Sequence, residues 1–436
     1  MAHSNEGMRP LANYPQGLSM DQFLSPPFNS STFESYTKQV ETLKKTVKDL
    51  LVVPTTDPIQ KLLLINSVCR LGVSYHFENE IEEQLSHLFI TLPKLLDDKD
   101  YDLHTVALVF QVFRFNGYKM PCGVFSKFQD DEGSLANQSS TSPHLKEYIK
   151  NALYRAYHYS LQRYEAKLYI SFYDKEEARN DTLLKLAKYD FNRVQMMYQQ
   201  ELAVLSRFEV SAMDELLADN KRDLYETLLN ATEEAENLVQ KEGRYHAISY
   251  VKDGWKKYVK AEQVECRWRH QGVVPTFEEY LEVGAYTGTG LLSMSQITLG
   301  IEEADRNAYE WVVNHNNKFS KALQINSRLY NDIVTGEEEE ERGYSTATAC
   351  YMKQHKVSRA EATKACRAII EEGWKDVNEG CMRPTAIPMQ VVRAALNYHR
   401  LLDFAYRNND EYTFSHSFLK DIITQLLLHP IPLDHE

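Results

Sequence analysis

The segment Arg328-Leu329-Tyr330-Asn331-Asp332-Ile333-Val334-Thr335-Gly336-Glu337-Glu338-Glu339 places an amide, a hydroxyl and a carboxylate at Asn331, Thr335 and Glu339. On a helix these positions are i, i+4 and i+8, and they span only ~80° of the circumference. Three oxygen donors then stack on one face. A hard cation such as Mg2+ takes oxygen ligands and keeps some waters for itself. The spacing points to a metal that grips a phosphate. Glu337 to Glu341 is also an acidic run, and such runs are commonly solvated helix faces. Taken alone, the segment reads as readily that way.

The elements that must position these residues are helical. Val40, Leu43, Val47, Leu50 and Leu51 recur at three- and four-residue spacing, as do Leu103, Val106, Ala107, Phe110 and Phe113. Gly117 follows the second series as a C-cap. Thr276-Phe277-Glu278-Glu279, after Pro275, is a capping-box start. Strand alternation is absent, so the predicted class is all-α. Pro10, Pro15, Pro26 and Pro27 predict an irregular start, with helix from about Tyr36. Polar breaks are expected at Gly133 to Pro143 and near Gly380 to Pro388. No fixed repeat period argues for a solenoid.

With 436 residues the chain has room for two domains, and its 43% hydrophobic and 25% charged content is that of a soluble globular protein. The net charge of −13 and the lack of a basic cluster argue against nucleic acid. The longest apolar runs, such as Leu62-Leu63-Leu64-Ile65, are too short for a membrane span. The six cysteines include no closely spaced pair and are expected to be reduced thiols, chiefly buried. The first residues show neither a secretory apolar core nor the Arg/Ser-rich character of an organelle leader, so a cytoplasmic location is expected.

Asn331-Asp332-x-x-Thr335-x-x-x-Glu339, followed by Glu341-Arg342-Gly343 and Cys350-Tyr351-Met352-Lys353-Gln354-His355, resembles the second metal motif of plant class I terpene synthases. Further segments resemble the family in order: Arg9-Pro10-Leu11-Ala12-Asn13-Tyr14-Pro15, Asp102-Leu103 to Gly117-Tyr118, Leu186-Ala187-Lys188-Tyr189-Asp190-Phe191-Asn192 and Trp268-Arg269-His270-Gln271-Gly272 to Tyr280. The similarity runs through nearly the whole chain and is to the cytosolic sesquiterpene branch. It implies an irregular arm over 1–35, an N-terminal helical domain over 36–180 and a class I terpene synthase domain over 181–436. It implies Asn331, Thr335 and Glu339 as ligands of Mg2+, or of Mn2+ in its place. Arg328 is implied as a diphosphate contact, and its planar fork of donors suits phosphate oxygens. Thr287, Gly288 and Thr289 match a helix break lining the carbocation pocket. Tyr406, Asp410 and Tyr412 match a trio at the pocket mouth. The implied substrate is farnesyl diphosphate, and the usual form is a monomer. The bland alternatives are a kinked helix at Gly288-Thr289-Gly290 and plain core aromatics.

One expected motif is missing from the sequence. The family's aspartate-rich DDxxD, which holds the other metal ions, has no counterpart. The chain runs from Glu201-Leu202-Ala203-Val204-Leu205-Ser206-Arg207-Phe208 directly to Ser211-Ala212-Met213-Asp214-Glu215-Leu216, stretches that several helices separate in the family. This reads as an internal deletion, with a smaller one after Asn137, so both domains are expected to be shortened. Asp97-Asp98-Lys99-Asp100 is rejected as a substitute, because it is an acidic turn of the N-terminal domain. Two readings follow: a sesquiterpene synthase ionising and cyclising farnesyl diphosphate, or a catalytically inactive truncated relative that at most binds prenyl diphosphate weakly. A third, an acidic helical interaction module, leaves the ordered series of family segments unexplained.

Overall fold

The computed structural model describes residues 28–55, 57–98, 101–128, 156–219, 221–414 and 418–433. The expected break at 133–143 and the Arg9–Pro15 segment lie outside these. Among the described residues there is no strand, and the chain is all-α as predicted. It divides into two compact units, one of 19–209 with 421–436 and one built on 210–420.

In the first unit, α1 (Ser30–Val52), α2 (Pro58–Arg70), α3 (Glu78–Asp98), α4 (Leu103–Phe115) and α5 (Gln162–Tyr173) surround a core that includes Val47, Leu62, Ile65, Val109 and Phe113. α1 begins at Ser30, before the expected Tyr36. Asn29 caps it by accepting from the Thr32 amide at 3.1 Å. The early turns bury nothing fully before Val40, so no apolar periodicity marks them. Lys61, only 5% exposed, donates from Nζ to the carbonyls of Leu50, Leu51 and Val53 and so ends α1. α4 ends as predicted. Gly117 is left-handed (φ 84°), its amide donates to Arg114 O, and the Tyr118 amide donates to Phe113 O at 2.8 Å.

α6 (Asp181–Asp219) runs without interruption through the junction at 201–216. The second unit holds α7 (Lys221–Lys241), α8 (Ala247–Gln271), α9 (Phe277–Thr287), α10 (Gly290–Leu299), α11 (Arg306–Val313), α12 (Lys318–Glu341), α13 (Ala347–His355), α14 (Arg359–Gly380) and α15 (Met389–Tyr406). α16 (Phe418–Leu427) follows. The expected break at Gly380 to Pro388 separates α14 from α15. α12 is central: it packs most extensively on α14, and also on α9, α13 and α15. Tyr330 fastens it, donating to Asp403 at 3.0 Å and accepting from the Trp374 indole at 2.8 Å.

All six cysteines are free thiols. Cys350 and Cys366 are buried, whereas Cys122 and Cys266 are exposed, contrary to the expectation of chiefly buried thiols.

Candidate metal and diphosphate site

α12 carries all three predicted oxygen donors and brings the side chains of Thr335 and Glu339 together. Thr335 Oγ1 bonds the main-chain carbonyl of Asn331 at 3.0 Å and lies 3.1 Å from Glu339 Oε1. The Glu339 end of the helix is closed by Gly343 (φ 82°): its amide donates to Glu340 O, and the Tyr344 amide donates to Glu339 O at 2.9 Å. The backbone of the trio's only carboxylate is therefore pinned by a Schellman turn. Among the described residues no three His, Cys, Asp or Glu side chains converge as a metal site. The trio has one carboxylate, an amide and a hydroxyl, so its fit is to a hard cation that retains waters.

Arg328 lies one turn before Asn331. Its Nη2 is 3.5 Å from Glu339 Oε2, and its Nε is 2.8 Å from Asp332 Oδ1. The Nε also donates to the Tyr280 hydroxyl at 2.6 Å. Tyr280 donates in turn to Asp332 Oδ2 at 2.7 Å. The same Oδ2 accepts the Ala347 amide, in the first turn of α13, at 2.6 Å. Asp332 and Tyr280 are both fully buried. Burial pushes the Glu339 and Asp332 carboxyls upward, against the opposing charge of Arg328.

α9 starts at the predicted capping box, with Thr276 and Glu279 bonded reciprocally. Its face carries Tyr280, Gly284 and Thr287 toward α12. A Cβ at Gly284 would stand 3.0 Å from Arg328 Cγ, and one at Gly288 would stand 3.1 Å from Arg328 Cβ. These glycines make the room in which Arg328 lies. The helix break falls where the sequence places it. α9 stops at Thr287, Gly288 is its cap, and Thr289 is left-handed (φ 58°) before α10. Thr287 donates to Glu265 Oε1 at 2.5 Å. Burial raises the Glu265 carboxyl, while the Arg328 charge opposes it.

Tyr406 ends α15, and burial, then the charge of Asp410, raises its hydroxyl. Tyr412 and Glu339 also act on it, so the C-terminal trio and the α12 carboxylate share one field. Asp410 is buried and spends Oδ1 on the amides of Tyr412 and Thr413. Tyr412 is 80% exposed, so its ring faces water rather than a pocket. A cavity of about 810 Å3 between α8, α9 and α12 is lined by residues including Ala261, Val264, Leu281 and Tyr286. Neither the metal trio nor Thr287 to Thr289 lines it.

The sequence reading missed Tyr280, Asp332 and Glu265. A signal existed for the first: Tyr280, Gly284 and Gly288 are spaced i, i+4, i+8, an aromatic above two gaps. Asp332 and Glu265 look like solvated acids until the helices are packed.

Two family models match the chain: "Terpene synthase, N-terminal domain" over 18–168 and "Terpene synthase family, metal binding domain" over 200–376. "Probable terpene synthase 6" of Ricinus communis is 34% identical over 551 aligned positions, covering 98% of this chain and 99% of the relative. Hedycaryol synthase of Camellia brevistyla is 33% identical over 546 positions, covering 98% of each. In fold, the chain is similar to limonene synthase solved with 2-fluorolinalyl diphosphate (TM-score 0.85, 20% identity, 98% of this chain and 100% of that one). It is similar also to isoprene synthase from grey poplar leaves, solved with three Mg2+ ions and dimethylallyl-S-thiolodiphosphate (TM-score 0.79, 20% identity, 93% and 99%). No described helix is long and apolar enough to cross a membrane. Both of its domain models and a relative matched over nearly its full length agree: the chain belongs to the terpene synthase family, whose members are lyases.

Proposed function

We propose that α12 carries the Mg2+ and diphosphate half of a sesquiterpene synthase site, whose substrate is farnesyl diphosphate. The observation that supports this most directly is the stack of Asn331, Thr335 and Glu339 one turn after Arg328. Asn331, Thr335 and Glu339 would hold Mg2+, or Mn2+ in its place. When bound, such an ion neutralises charge on a leaving diphosphate and contributes several kcal/mol. Arg328 would meet the diphosphate oxygens through its fork. The carbonyls and hydroxyls around Thr287, Gly288 and Thr289, with Tyr406 and Asp410, would line the cation side, whereas the exposed Tyr412 ring is left out of it. The division into a family N-terminal domain over 36–180 and a catalytic domain over 181–436 belongs to this reading. So do a monomeric state and a cytoplasmic location.

A second reading is that this chain is an inactive truncated relative. Three observations favour it. No DDxxD motif occurs in the sequence. The alignment to the Ricinus relative spans 551 positions against the 436 residues here, so the relative has stretches without counterpart. α6 runs straight through the junction where the missing helices would enter. Losing metal ligands worth several kcal/mol slows ionisation by roughly 10^3-fold or more, at about 1.4 kcal/mol per tenfold.

One experiment separates the readings. The purified chain is incubated with farnesyl diphosphate and Mg2+, hydrocarbons are read by gas chromatography–mass spectrometry, and Mn2+ binding is measured alongside. Metal binding lost in Glu339→Ala is expected under both. Product above the Glu339→Ala background supports the synthase; none from folded, metal-binding protein supports the inactive relative. Metal affinity unchanged by Glu339→Ala would sink both.

A further inference from the structure

The Arg328 side chain is held at one end only. Its Nε is bonded to the Tyr280 hydroxyl at 2.6 Å and lies 2.8 Å from Asp332 Oδ1. Among the described residues its terminal nitrogens make one contact, Nη2 to Glu339 at 3.5 Å. That distance is long for a charge-assisted hydrogen bond, which is normally 2.7–2.9 Å. The inner edge of the guanidinium is thus fixed, and the outer fork is left weakly engaged.

What fixes it is deeply buried and itself doubly anchored. Tyr280 bonds both Arg328 and Asp332, and Asp332 also accepts the Ala347 amide at 2.6 Å. This ties α9, α12 and α13 to one guanidinium. A buried ion pair gives little net stability, because desolvating two charges consumes most of their attraction. The arrangement is better accounted for by orientation. A guanidinium recognises diphosphate oxygens only if its plane and fork are aimed. Gly284 and Gly288 reinforce this: a Cβ at either would crowd the Arg328 stem at 3.0–3.1 Å.

We infer that Tyr280 and Asp332 are positioning residues that aim the outer fork of Arg328 at a diphosphate. The inference rests on the proposed reading of the α12 site. Tyr280→Phe keeps the ring and removes the bond to Nε. It is expected to weaken binding of inorganic diphosphate in the presence of Mg2+ about tenfold by calorimetry, as loss of one hydrogen bond to a charged group does. Affinity for Mn2+ alone, read by electron paramagnetic resonance, should stay within about twofold, and the variant should still unfold in a single cooperative transition. Asp332→Asn should show the same split. In an Arg328→Lys background, which has no fork to aim, Tyr280→Phe should cause no further loss. Diphosphate binding insensitive to Tyr280→Phe, or an equal loss of Mn2+ and diphosphate binding, would overturn the inference while leaving the site reading intact. A wild-type chain that binds no diphosphate would overturn both.

Discussion

At the scale of single residues, the sharpest electrostatic feature lies away from the metal motif. Asp190 has no exposed side-chain surface, and it meets His76 at 3.0 Å, Tyr75 at 2.6 Å and Arg193 at 3.1 Å. Burial alone would raise its carboxyl. The hydrogen bonds from His76 and Tyr75 and the charge of Arg163 outweigh that and hold it at about 2. The folded value is depressed below an unfolded value of about 3.9. The stability this contributes is therefore full above about pH 4 and is lost as pH falls through about 2. At ~1.4 kcal/mol per unit, the loss is about 2.5 kcal/mol. Urea unfolding of the wild type should show this drop across the window, and Asp190→Asn should lack it. An identical acid dependence in the variant would refute the assignment. The Asp190 segment was legible as a family match, but its chemistry was not. Its partners Tyr75 and His76 are more than a hundred residues distant, and period and propensity carry no information about such pairs.

At the scale of elements, the closure of α12 controls where Glu339 sits. Gly343 holds φ 82°, a region that costs a residue with a side chain roughly 1–2 kcal/mol. Its two turn bonds end the helix beneath the Glu339 carbonyl. Gly343→Ala is expected to lower stability by about 1–2 kcal/mol in a denaturant melt and to weaken Mn2+ binding, because the last turn frays. Unchanged stability and unchanged affinity would show that the turn does not position the ligand. Features of this kind were readable from sequence. The Thr276 capping box and the Gly117 C-cap depend on neighbours within about five residues, and both are found. The start of α1 was misplaced for the complementary reason. Its early turns are not fully buried before Val40, so only the Asn29 cap marks them.

At the scale of the molecule, the chain ends in the unit it left. Residues 421–436 belong with 19–209, although the preceding two hundred residues form the other unit. Asn192 clamps this return: its Nδ2 donates to Ile431 O at 2.9 Å, and its Oδ1 accepts the Ile431 amide at 2.7 Å. Gln195 and Lys167 add bonds to carbonyls at Leu426 and His429, and Ile431 joins the core. Asn192→Leu strands two buried backbone groups and should cost about 2–6 kcal/mol, at 1–3 kcal/mol per unmet partner. Amide exchange localised to this unit would check it; protection equal to wild type would refute it. What the sequence determined by itself was the all-α class, the capped helix ends and the i, i+4, i+8 donor face, because each follows from contacts a few residues apart along one helix. Only the tertiary structure decided that Tyr280 and Asp332 hold Arg328, that Glu265 meets Thr287, and that Tyr412 faces water. Those outcomes depend on which polar groups lose their solvent when separate helices pack, and desolvation is a property of the assembled neighbourhood rather than of the local chain.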